Sequence, residues 1–316
     1  MKILVTGGCG YKGTVLTQQL LEDGNEVIVV DTQWFGNFLE AHPRLRILQE
    51  DVRNTENIPL NGVNAVIHLA NIANDPGVEL NPSLSWEVNV LATQQLIDQA
   101  VRSGVDQFIF ASSGSVYGVK EESQVTEDLP LVPISVYNKT KMIAERVLLS
   151  FQNDIRVHCV RPATVCGWSP RMRLDVSVNM LTVQALKNKL ITVFGGHQTR
   201  PNIHIQDMVR VYQHFLQNPD IDSGCYNAGF ENISILEIAE KVSAKVPSQV
   251  EITSSNDPRS YRQNSDKLRL TGFEPRYCVA DAIDEVIERY QTGELVDSDQ
   301  CYTVKWMKSL GLDSSG

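Results

Sequence analysis

The chain has 316 residues, a formal net charge of −10 and a pI near 5.1, a balance that speaks against a nucleic-acid partner. Hydrophobic residues make up 42% and charged residues 21%, the proportions of an ordinary globular protein with a sizeable core. No apolar run approaches the ~20 residues of a membrane span and the first residues already read as a strand, so the expectation is a cytoplasmic protein without a membrane partner.

In chain order, short apolar runs at 2–6, 26–31, 45–50, 64–69, 107–112 and 155–161 predict strands. Their near-continuous Ile, Val, Leu and Phe content is that of strands buried on both faces of a parallel sheet. Helical patterns fall between them at 11–23, 82–104 and 136–152, the second opening after Asn81-Pro82 and stopping at Gly104. This alternation predicts an α/β fold, a doubly wound parallel Rossmann sheet with right-handed crossovers. After 168 the rhythm changes. A charged loop, Ser169-Pro170-Arg171-Met172-Arg173-Leu174-Asp175, leads to a helix at 176–188, a strand at 191–194, helices at 207–217 and 234–245, a strand at 249–252 and a helix at 279–291. These mixed elements read as a smaller mixed α/β substrate lobe set against the sheet. The expected division is 1–167, with 201–233 returning to it, against 168–200 and 234–316.

Between the first strand and the first helix lies Thr6-Gly7-Gly8-Cys9-Gly10-Tyr11-Lys12-Gly13. Gly7, Gly10 and Gly13 let the backbone turn tightly and approach a pyrophosphate, whose charge faces the helix N-terminus. Their spacing is Gly-x-x-Gly-x-x-Gly, and their place directly after a strand makes a dinucleotide the expected ligand, with Tyr11 and Lys12 beside it. Asp31 ends the second strand, where a carboxylate accepts ribose hydroxyls and repels a 2′-phosphate; Thr32-Gln33-Trp34 offers no arginine, so NAD is expected over NADP. Asp51 and Val52 follow the third strand and Leu69 and Ala70 the fourth, as neighbours of the cofactor. Tyr137 and Lys141 stand one helical turn apart on the same face, where an ammonium is expected to ease loss of the phenol proton. Such a phenol suits proton abstraction from an alcohol while a hydride leaves the same carbon. Ser113, in Ser112-Ser113-Gly114-Ser115-Val116-Tyr117-Gly118 after the fifth strand, faces the same cleft. The six cysteines and six histidines show no metal-ligand spacing, and no metal is expected.

With these residues assembled, the chain resembles the extended short-chain dehydrogenase/reductases, in particular the nucleotide-sugar epimerases and dehydratases. The resemblance rests on the glycine loop, Asp31, Ser-Ser-x-x-Val-Tyr-Gly, Tyr137-x-x-x-Lys141, Asn89, Arg161-Pro162, Arg200-x-x-Ile203-His204-x-x-Asp207, Tyr226-Asn227-x-Gly229 and Lys267 to Pro275. It implies that Tyr137 is the acid/base, that Lys141 lowers its pKa and holds the nicotinamide ribose, and that Ser113 binds the sugar hydroxyl. It implies further that Asn89 and Pro162 adjoin the cofactor. Ser115, Arg171, Asn179, Arg200 and Arg259 then adjoin a nucleotide-diphosphate sugar, with Arg173 and Arg262 as further candidate cations. Helices 82–104 and 136–152 match those that pair in related homodimers. Gly114 and Ser115 occupy the places where family 4,6-dehydratases usually carry an acidic pair, which disfavours dehydration. The expected reaction is oxidation at C4 through a 4-keto sugar, as an epimerase in surface-polysaccharide sugar synthesis. The alternatives are a 4-dehydrogenase that releases the ketone from a GDP-heptose-like substrate, a 4,6-dehydratase, or a 4-ketoreductase. Lys12, where the family usually has an aliphatic residue, faces either the pyrophosphate or solvent.

Overall fold

The computed structural model describes residues 1–254 and 260–313. Twelve strands appear in chain order: β1 Lys2–Thr6, β2 Glu26–Asp31, β3 Leu45–Gln49, β4 Ala65–His68, β5 Gln107–Ala111, β6 Arg156–Pro162, β7 Thr164–Cys166, β8 Leu190–Phe194, β9 Thr199–His204, β10 Gly224–Ala228, β11 Glu231–Ser234 and β12 Gln249–Thr253. Seven form one parallel sheet in the order β10-β6-β5-β4-β1-β2-β3. The strand order reverses between β1 and β4, the point at which doubly wound sheets open a ligand crevice.

Alternate residues of each strand serve opposite faces, because side chains in a strand alternate. Ile3, Val5, Val27, Val29, Ile67 and Ile109 meet helices Tyr11–Glu22 and Ile205–Gln217 through Leu16, Leu20, Val211 and Phe215. Leu4, Ile28, Val30, Val66, Phe108 and Phe110 meet Ala92–Arg102 and Val136–Leu149 through Leu96, Ile97, Ala144 and Leu148. Nearly all of these side chains are fully buried, each contributing about 1.5–3 kcal/mol of transfer free energy. That double-sided burial holds the strand ends, and the loops leaving them, in place.

β10 is the seventh strand of the sheet and lies outside the pattern expected from sequence, because Gly-Cys-Tyr-Asn-Ala has no apolar run. Its Asn227 points inward, donating to Val125 O at 3.0 Å and Asn264 O at 2.9 Å while accepting from Tyr117 OH at 2.8 Å. The helix expected at 82–104 is broken: Pro82–Trp86 runs into a π turn at Glu87–Leu91 before Ala92–Arg102. In the smaller lobe β11-β9-β7 form one sheet and β12-β8 another. The C-terminal helix Thr303–Ser309 returns to the large sheet, where Trp306 Nε1 donates to Trp34 O at 2.6 Å and Met307 is buried in the sheet's core. Among the described residues no helix is long and apolar enough to cross a membrane.

Candidate active site

β1 ends at Thr6 and the backbone turns at Gly7 with φ +72°, a conformation open to glycine. A Cβ there would lie 2.6 Å from Ala70 N, and one on Gly13 would lie 2.2 Å from Gly7 O. Helix Tyr11–Glu22 starts at Gly10 with no side-chain cap, so the first-turn N–H groups stay available for an anion. Asp31 accepts from Cys9 N at 3.0 Å and Gln33 N at 2.8 Å, which fixes its carboxylate at the mouth of this cradle. Burial raises its pKa, and these two N–H groups pull it back. Asp51, Val52, Leu69 and Ala70 line the same groove, as do Trp34 and Phe35. A cradle that any Cβ would fill, ending at an acceptor-only carboxylate, fits a dinucleotide with a free ribose 2′-hydroxyl.

Three sequence-derived placements need correction. Arg171, expected at the substrate, lines the cofactor groove, its guanidinium 4.0 Å from the centre of the Phe35 ring and within electrostatic reach of Asp31. It is only 5% exposed, Nε has no hydrogen-bond partner, and burial pushes its pKa down to about 10. Asn179, also expected at the substrate, is fully buried and consumed by the fold. It accepts from Gly167 N at 3.0 Å and donates to Tyr11 OH at 3.1 Å and Arg173 O at 3.0 Å. With Tyr11 OH donating to Gly167 O at 2.7 Å and Ser169 Oγ to Tyr11 O at 2.8 Å, it fastens the phosphate loop to the 167–179 segment. Tyr11 thus offers the cradle its backbone, not its ring. Asn89 is likewise inside the protein: from the π turn it accepts from Ile72 N at 2.8 Å and donates to Ile72 O at 3.2 Å and Thr140 Oγ1 at 3.2 Å. It shapes the loop after β4 rather than touching the groove.

Next to the groove lies a second, larger chamber, lined by Ser113, Ser115, Tyr137, Pro162, Arg200 and Asp75 among others. Lys12 and Arg173 border both spaces. Ser113 Oγ lies 2.7 Å from Ser115 Oγ, which donates to Asn138 Oδ1 at 2.6 Å. Ser112 turns away instead, donating to Glu145 Oε1 at 2.5 Å within a buried bracket completed by Arg161 Nη2 on Glu145 Oε2 at 2.8 Å. Burial pushes the Tyr137 phenol up to about 12, and the Asp75 carboxylate adds to the rise. A hydrogen bond with Ser113 and the Arg173 cation act in the opposite direction. Lys141 is buried, its Nζ donates to Ala111 O at 2.7 Å, and burial and Lys12 hold it well below the usual lysine range. Arg173 is a cation that favours the phenolate. Arg259 lies outside the described residues. Arg262 is on the surface, within weak reach of Asn232 O. Cys166 is buried with its thiol pKa raised, an inert core residue, and His204 stacks on Tyr277 in the lobe.

The sequence reading misses several lining residues. Trp34, Phe35 and Asp75 follow strand ends, the only signal available for them. Tyr261, Tyr302, Thr303, Lys305 and Lys308 reach the chamber from the last part of the chain, with no motif to announce them.

The fold and the cradle define a dinucleotide-binding α/β protein of the doubly wound class. Residues 3–229 match the model of the NAD dependent epimerase/dehydratase family, and the chain belongs to that family. It is an enzyme family whose cofactor is NAD. The chain is 29% identical over 307 residues to UDP-glucuronic acid decarboxylase 1 of Danio rerio, covering 92% of this chain and 72% of that one. It is 27% identical to UDP-glucose 4-epimerase of Lactobacillus helveticus, covering 91% and 95%. The solved structure of MoeE5 in complex with UDP-glucuronic acid and NAD superposes with a TM-score of 0.82 at 26% identity, covering 93% of this chain and 100% of that one.

Proposed function

We propose that this enzyme is a nucleotide-sugar epimerase acting through a 4-keto sugar, with the phenol of Tyr137 exchanging the proton of the C4 hydroxyl. The observation that carries the reading is a chamber lined together by Ser113 and Tyr137 that shares Lys12 and Arg173 with the cofactor groove. Ser113 orients the sugar hydroxyl, and Arg173 stabilises the phenolate formed when Tyr137 gives up its own proton. Bound NAD supplies reversible hydride acceptance at the same carbon. Lys141 spends one of its three N–H donors on Ala111 O, which leaves two for the cofactor's ribose hydroxyls. Gly7, Gly10, Gly13, Asp31, Asp51, Val52, Leu69 and Ala70 hold the dinucleotide, while Pro162, expected beside the cofactor, lines the chamber rather than the groove. Arg200 is assigned to the nucleotide diphosphate. On this reading 1–167 with 201–233 serve the cofactor and 168–200 with 234–316 the nucleotide sugar, the latter lending Arg171 and Thr303 to the cofactor's cover.

Two observations favour in-place reduction of the ketone over dehydration or release. The two positions directly after Ser113, Gly114 and Ser115, carry no acid, and the Ser115 hydroxyl is tied to Asn138. The cofactor groove is covered by Arg171 over Phe35, Thr303 N on Asp175 Oδ2 at 3.0 Å and Trp306 on Trp34, contacts that suit a cofactor retained between turnovers. A cytoplasmic role in surface-polysaccharide synthesis belongs to the same proposal. So does a homodimer in which exposed Trp86 and Leu91, on the 82–102 helical stretch, are covered; light scattering that finds a monomer removes that part. The main test is product analysis by NMR after incubation with nucleotide sugars in deuterated water. C4 inversion without label at C3 or C5 is expected, whereas stoichiometric NADH with free ketone, or label at C5, replaces the epimerase reading by dehydrogenase or dehydratase.

A further inference from the structure

Lys12 is the unusual member of the phosphate loop, and nothing in the fold uses its ammonium. It borders both the cofactor groove and the sugar chamber, yet it makes no hydrogen bond or ion pair among the described residues. Its neighbours increase the mismatch. Arg173 and Lys141 are both within electrostatic range of it. The chamber also presents Arg200, Lys308 and Lys305, the last paired with Asp299 at 2.7 Å. Among the described residues its two carboxylates are already engaged: Asp175 pairs with Arg173 at 2.8 Å and accepts from Thr303 N, and Asp75 accepts from Ser135. Gathering like charges in a half-enclosed site is unfavourable unless an anion joins them. The diphosphate of a nucleotide sugar accounts for cations that border only the chamber, such as Arg200. At the cofactor end the dinucleotide's pyrophosphate is served by the backbone N–H groups of the helix N-terminus, whereas Lys12 also faces the chamber, within electrostatic range of Lys141, and is placed for a second anion carried by the sugar.

Building on the functional reading above, we propose that Lys12, seconded by Arg173, binds a carboxylate carried by the sugar close to the carbon that is oxidised. The substrate class is therefore a nucleotide-linked uronic acid or a comparable acidic sugar, and Lys12 is the residue that selects it. A charge-assisted hydrogen bond of this kind is worth about 1.5–3 kcal/mol, which corresponds to roughly 10- to 100-fold in selectivity. The ammonium is pushed down to about 8 by burial and by Arg173, so the preference is greatest well below pH 8 and fades as the pH rises through it and the proton is lost.

The test uses the full chain with its cofactor bound. UDP, GDP, CDP and dTDP are first screened for binding, and the tightest is used as the handle for a matched pair, the glucose and glucuronic acid derivatives. kcat/KM for the pair and the NAD content are measured for the wild type, Lys12→Met and Lys12→Arg. The expected result is a preference of about 10-fold or more for the carboxylated sugar, lost in Lys12→Met, partly restored in Lys12→Arg, with NAD retained in all three. A wild type that prefers the neutral sugar overturns the inference. So does a Lys12→Met variant that loses NAD while keeping the preference, since Lys12 then serves the cofactor's pyrophosphate. Failure of all four nucleotides to bind is a different result: it removes the nucleotide-sugar reading itself, and this inference with it.

Discussion

The cofactor cradle and the sugar chamber adjoin one another, yet they are built by different means. The cradle is made of backbone: glycines that leave no room for a Cβ, a helix N-terminus and one carboxylate held by two N–H groups. The chamber is made of side chains gathered from the ends of β5 and β6, helix Val136–Leu149, the 173–180 region, β9 and the C-terminal helix. A backbone site tolerates little change in sequence. A site of assembled side chains can change its ligand by single substitutions while the fold stays intact, the role proposed above for Lys12 at the border between the two.

The largest effect that would separate the two regions is expected for Gly13→Ala, whose methyl would sit 2.2 Å from Gly7 O. The purified variant should contain no NAD, measured by absorbance after denaturation; normal NAD content would show that the cradle is not backbone-limited. Arg161→Met comes next. It leaves Glu145 charged and unpaired beneath the chamber, and breaking such a buried pair costs about 3–5 kcal/mol. Urea unfolding should show that loss, and a stability within error of wild type would refute the bracket. Asp31→Ala removes the carboxylate from the mouth of the cradle and should weaken NAD binding by roughly 10- to 100-fold in equilibrium dialysis, at the scale of a hydrogen bond to a charged group. An equal affinity would mean the ribose is held elsewhere.

The smallest effect is on pH dependence. His68, between Thr6 and Thr93, is held down to about 3 by burial, and His158, between Gln107 and Ile221 O, to about 4. The unfolded chain takes up these protons near pH 6.5, whereas the folded one refuses them until well below. Stability is therefore full above pH 6.5 and falls as the pH drops toward 4, by at most about 1.4 kcal/mol per pH unit for each histidine. Denaturation midpoints between pH 7 and 5 would check this, and His68→Gln should flatten the slope; an unchanged slope would assign the effect to other groups.

How much was legible in sequence follows the same contrast. Strands buried on both faces announce themselves by composition, so β1 to β6 stand where the apolar runs lie, and the glycine loop and Asp31 fall where the cradle forms. β9 and β10 were hidden because Arg200, Pro201 and Asn202, or Tyr226 and Asn227, break the apolar pattern while satisfying their polar groups through distant partners. Arg171, from its charged loop, and Asn179, from the family resemblance, look like substrate ligands. Their true positions depend on Tyr11 reaching Gly167, a contact between segments far apart in the chain that no local rule reports. The Tyr137–Lys141 spacing was visible. That burial and Asp75 oppose the phenolate while Arg173 supports it could be learned only from the folded arrangement.

The most direct test of the account is the absorbance of bound NADH at 340 nm after rapid mixing with the nucleotide sugar identified by the screen, comparing wild type with a Tyr137→Phe variant of equal NAD content. The account requires transient reduction in the wild type and a rate about 10²- to 10⁴-fold lower in the variant, the contribution expected of a positioned acid/base. Equal rates of reduction in the two proteins would contradict it.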